Sequence, residues 1–123
     1  MRRSQDAVGI ALSGLCLVHC LALPFVISLG PALVWMEDER IHLALAGLAL
    51  LVSLNAMRSW PGGMRGIALR GLAITGLALL FFGALAGVSE LTERVVTVVG
   101  ASGLALSHGA AWLASAGRPA HRH

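Results

Sequence analysis

Residues Gly71–Ser89 read GLAITGLALLFFGALAGVS, without one Asp, Glu, Lys or Arg. A run of that kind is long enough to cross a bilayer core of ~30 Å, which takes about 20 helical residues. Three more stretches lack all four charged types: Ala7–Met36, Ile41–Met57 and Val95–Gly117. The second is the shortest, about 25 Å at 1.5 Å per residue. Its flanking Arg40 and Arg58 can reach the interfaces with their long side chains. Inside lipid the backbone must satisfy itself, which leaves helices or a closed barrel. None of these runs alternates apolar with polar residues, so barrel strands are excluded.

Composition agrees. Of 123 residues, 57% are apolar and 12% charged, against roughly 25% charged in an ordinary soluble domain. Mean hydropathy is +0.81. That excludes a water-soluble enzyme and a nucleic-acid binder, and the expected surroundings are a lipid bilayer. The expectation is one all-α domain over residues 1–123, with transmembrane helices at about 7–34, 39–58, 66–88 and 92–116. The connections, Glu37–Arg40, Arg58–Arg65 and Glu90–Arg94, are short. Short loops force antiparallel neighbours, hence an up-down four-helix bundle.

The nine basic residues are all arginines. One side of such a bundle collects Arg2, Arg3, Arg58, Arg65, Arg70, Arg118 and Arg122, with Asp6 its one acid. The other collects Glu37, Asp38, Glu39, Glu90 and Glu93, with Arg40 and Arg94. The positive-inside rule then places both termini in the cytoplasm and the acidic loops outside. Trp35 falls at the outer interface, Trp60 and Trp112 near the inner one. The length of the first apolar run speaks for a retained span rather than a cleaved leader.

The chemistry concentrates in the first run, at Ser13-Gly-Leu-Cys16-Leu-Val-His19-Cys20-Leu-Ala-Leu-Pro24. At 100° per residue, Ser13, Cys16, His19 and Cys20 share about a third of the helix circumference. Two thiolates and an imidazole suit thiophilic or borderline ions such as Hg²⁺, Cu⁺ and Zn²⁺. Two sulfurs from one turn can hold a two-coordinate ion, whereas a closed tetrahedral site needs more ligands. Pro24 removes the N–H that would have met the Cys20 carbonyl, so a helix kink is expected beside the thiols. His108 lies nine residues before Gly117, and Cys16 nine after Ala7. At that equal depth, about 13–14 Å in, His108 is expected to face Cys16 or to hydrogen-bond a serine or carbonyl in the bundle. His42 follows the acidic loop Glu37-Asp38-Glu39, which could gather cations. His121 and His123 in the tail are weaker candidates for releasing a metal. Glycines such as Gly83 and Gly87 read as close helix packing.

The run Leu15-Cys16-Leu-Val-His19-Cys20-Leu-Ala-Leu-Pro24 resembles the first-helix signature of MerC-domain membrane proteins. Glu39-Arg40-Ile-His42, the glycine-rich third helix and Leu104-Ala-Leu-Ser-His108 extend the similarity over most of the chain. The resemblance implies a bacterial inner-membrane protein of four helices. Founding members of that family carry Hg²⁺ from periplasm to cytoplasm on a first-helix cysteine pair. By that likeness Cys16 and Cys20 are the transport thiols. Those transporters have Cys-x-x-Cys where this chain has Cys-x-x-x-Cys. The function expected is therefore a metal-ion transporter or metal-binding protein, not an enzyme. It would have no permanent cofactor and would take a transient soft ion, Hg²⁺ first, as substrate. A non-catalytic membrane subunit and a thiol-redox membrane protein are the alternatives. A homodimer is expected from the small-residue faces.

Overall fold

The computed structural model describes residues 2–30 and 38–117, with the side chains of positions 2, 23, 24, 26 and 27 left aside. Four helices follow one another: α1 (Arg2–Leu29), α2 (Glu39–Met57), α3 (Gly63–Leu85) and α4 (Glu90–Ala116). The described residues contain no strand. All four helices are long and apolar enough to cross a membrane; the qualifying stretch of α1 is Arg3–Ala22.

Several helix ends differ from those expected, each for a local reason. The first helix starts at Arg2 rather than near residue 7. Charge marks where a chain leaves the hydrocarbon, but it does not end a helix, and Arg and Gln are good helix formers. The third helix stops at Leu85, short of 88, because Gly87 adopts φ +59°. The Ala86 N–H bonds the Phe82 carbonyl, and the left-handed glycine beyond it turns the chain away. Gly87 is thus a helix stop, not the packing residue expected. Glu90–Arg94 is not a loop: Ser89 caps α4, its hydroxyl accepting from the Thr92 N–H, and Glu90 and Glu93 occupy the first turn. Acids at that end meet the positive pole of the helix. Asp38 caps α2 in the same way, accepting from the Arg40 N–H at 2.9 Å.

The core is built of small residues. Ala46, Ala49, Ala56, Ala73, Ala101 and Ala111 are buried, joined by Leu69, Leu77, Leu80 and Leu104. Large apolar side chains such as Phe25, Leu29, Leu51, Leu85 and Leu106 face outward. This is the arrangement lipid favours: an outward leucine gains as much from acyl chains as from protein, and small residues let helices approach closely. Helix α4 packs extensively on α3 and α1, and α2 rests more lightly on α1 and α3. Gly76 and Gly100 mark a close approach of α3 to α4. A Cβ on either would come within 2.7 Å of the other's carbonyl oxygen.

Candidate functional site

Along α1 the buried positions Asp6, Gly9, Ser13, Cys16 and Cys20 recur every three or four residues, the spacing of one helical face. Leu15, Val18 and Leu21 between them face outward. Both thiols are free and buried.

They line a small cavity that every helix helps to form. Cys16, Cys20 and His19 come from α1, and His42 and Ala46 from α2. Leu80 and Ala84 come from α3, Glu93 and Thr97 from α4. Its free space suits about one water-sized body. The His19 and His42 rings meet edge to face, centroids 5.0 Å apart. His42 Nδ1 is buried without a hydrogen bond, 3.7 Å from Glu93 Oε1. Among the described residues, no three of His, Cys, Asp and Glu are gathered closely enough to enclose a metal ion together. The two sulfurs stand one helical turn apart on this cavity, with two imidazoles and a carboxylate also lining it.

His108 is placed elsewhere. It is buried between Asp6 and Ser53, with Nδ1 3.1 Å from Asp6 Oδ1 and Nε2 3.1 Å from Ser53 Oγ. The Trp60 indole N–H donates to the same Asp6 oxygen at 2.9 Å, and its ring meets the His108 ring edge to face. The expectation that His108 faces Cys16 assumed that α1 begins at Ala7. Helix α1 begins at Arg2, and His108 lies against Gly9, where a Cβ would come 2.6 Å from its Nδ1. The α4 residues at the thiols are Thr97 and Glu93. Thr97 is about 16 Å along the helix from His108. The other expectation, a hydrogen bond to a serine within the bundle, is what the geometry shows.

Of the remaining candidates, His19 and His42 join the thiol cavity. Asp38 and Glu39 are exposed at the head of α2. Glu37, His121, His123 and the Pro24 side chain lie outside what is described, although α1 continues through position 24 to Leu29. Two residues at these sites were missed from sequence. Glu93 was read as loop. Taking Ser89 as a helix cap would have put Glu93, Thr97 and Gly100 on one helical face. Asp6 was read as an interfacial charge, yet it falls in register with Gly9, Ser13 and Cys16.

No curated protein and no solved structure gives a significant match to this chain. The family model described as MerC mercury resistance protein does match, over residues 6–113, nearly the whole length. With four apolar helices and a thiol-lined interior, the chain is a multi-pass membrane protein belonging to the MerC mercury resistance family.

Proposed function

We propose that this protein carries a thiophilic metal ion, Hg²⁺ foremost, inward across a bacterial inner membrane on Cys16 and Cys20. The observation that carries this reading is the placement of both free thiols on one cavity bounded by all four helices. Two thiolates satisfy an ion that accepts two-coordinate sulfur ligation, and soft sulfur selects soft cations. Each sulfur must lose its proton to bind, so loading releases protons.

The orientation that goes with it has both termini in the cytoplasm and the ends bearing Asp38, Glu39 and Glu90 outside. Gly83 lies against Glu93 and Thr97, Gly76 against Gly100, and Gly9 against His108, while Cys16 and Cys20 share a cavity with Thr97 and Glu93. Rising numbers on α1 and α3 thus meet falling numbers on α4, which supports an up-down bundle. The ion enters past the acidic helix heads, meets His42 and Glu93, and passes to the sulfurs by ligand exchange. Pro24 leaves the Cys20 carbonyl without its helical donor, adding a backbone oxygen beside the thiols.

The test is metal accumulation in cells expressing the native chain or a Cys16→Ser/Cys20→Ser double variant at matched levels. Hg²⁺ accumulation well above that of the double variant is the expected result. Equal accumulation of Hg²⁺, Cu⁺, Zn²⁺ and Cd²⁺ by the two would overturn the reading.

A further inference from the structure

The Asp6–His108 pair lies outside the thiol cavity, and the transport reading makes no use of it. Both side chains are almost wholly buried, at 2% and 1% exposure, inside an apolar bundle. Ionisable groups at such positions are rare and usually functional. We propose that Asp6 and His108 form a buried proton-binding site, its carboxylate bordering a small cavity at the end of the bundle where Ser59 and Ser115 lie.

The hydrogen-bonding pattern is what such a site requires. With Asp6 ionised and His108 neutral, Nδ1–H donates to Asp6 Oδ1 across 3.1 Å, and Nε2 accepts from the Ser53 hydroxyl. A proton added at Nε2 turns that contact around, and Ser53 Oγ becomes the acceptor. A hydroxyl can serve in either role. The ring nitrogens therefore stay satisfied in both states. The pair's net charge changes from minus one to zero. The Trp60 N–H holds the carboxylate in its accepting form through both states.

A second small cavity touches Asp6, Ser59, Trp60, Pro61 and Ser115. Ser59 and Pro61 lie in the α2–α3 loop, and Ser115 in the last turn of α4. This cavity borders the carboxylate side of the pair.

The surroundings of the pair are as follows. From α2, Ser53 faces it. From the loop, Trp60 does. Of the two α3 cations, Arg65 is exposed and Arg70 bonds the carbonyls of Met57, Trp60 and Pro61. On α1, Arg3 lies over the Trp112 ring, 4.7 Å from its centroid.

Trp60 supplies the readout, since a protonated imidazole quenches an indole in contact with it and the two centroids are 5.3 Å apart. The full chain carrying Trp35→Phe and Trp112→Phe keeps Trp60 as its one indole. In detergent, from roughly pH 9 to pH 4, its emission is expected to fall in a single one-proton step. The step should vanish in His108→Gln, and its midpoint should move in Asp6→Asn. Should these variants not fold, the unsubstituted protein with ¹⁵N-labelled histidine gives the same test. The imidazole ¹⁵N shift of the histidine in contact with Trp60 should report one proton gained over that range. Trp60 emission independent of pH, an emission change unaltered in folded His108→Gln, or a non-titrating imidazole would overturn the proposal. None of these measurements depends on metal transport.

Discussion

Arg70 shows how one side chain can complete a helix end. Its guanidinium donates twice to the Met57 carbonyl, at 3.2 and 3.1 Å, and once each to Trp60 and Pro61. Met57 is the last residue of α2, where terminal carbonyls lack helical partners. Charge counting places this arginine among the positive-inside flank, and the structure adds a structural task. Replacement by methionine keeps the apolar stem and removes the donors. We expect Arg70→Met to lower stability by roughly 2 kcal/mol, the scale of lost hydrogen bonds to a charged group. Arg70→Lys should recover only part of this, since one ammonium cannot reproduce the planar fork. Unfolding titrations in mixed detergent micelles measure both. A methionine variant as stable as the parent would sink the assignment.

At the scale of elements, α4 is the spine. It carries His108 against α1, Gly100 against α3 and Glu93 into the thiol cavity. Its contact with α3 rests on backbone approaching backbone, so a single methyl group is felt. At Gly100 an added Cβ would lie 2.7 Å from the Gly76 carbonyl oxygen and 3.1 Å from Leu79 Cβ. At Gly109, on the same helix, it would meet nothing within 4 Å. We expect Gly100→Ala to destabilise by about 1–3 kcal/mol through overpacking. Gly109→Ala should be neutral or stabilising by up to about 1 kcal/mol, the helix-propensity gain. Equal melting temperatures for the two variants in detergent would contradict this account of the α3–α4 seam. The contrast is invisible in sequence, where both are glycines in one apolar run.

For the molecule as a whole, the proposed orientation has a direct consequence. A fluorescent protein fused after His123 should fluoresce, and alkaline phosphatase fused there should be inactive. Phosphatase inserted in the turn between α3 and α4, at Gly87, should be active. An active C-terminal phosphatase would invert the bundle and, with it, the proposed direction of metal movement. The two polar sites then stand at different depths. The thiol cavity shares α4 with Glu93, toward the acidic end, and the Asp6–His108 pair lies toward the arginine-rich end. The proposed metal handling and the proposed proton binding thus occupy separate places along one bundle.

How much of this was legible beforehand follows from the range of each signal. Four charge-free runs determined four apolar helices, because the cost of burying charge and unpaired backbone in hydrocarbon acts on each residue locally. The spacing of Cys16 and Cys20 determined that they share a helical face, because helical periodicity is local too. The sequence motif also pointed to the family. Helix ends were blurred where a cap or a left-handed glycine, rather than a charge, ends the helix, as at Ser89 and Gly87. What only the tertiary structure decided was the register between helices. Helix α1 starts five residues earlier than its charge-free run, and His108 stands at Asp6 rather than at the thiols. Thr97 and Glu93 instead share the cavity with Cys16 and Cys20. Register is set by which small residues let backbones meet, at Gly9, Gly76 and Gly100. That is a property of paired surfaces, and no single helix encodes it.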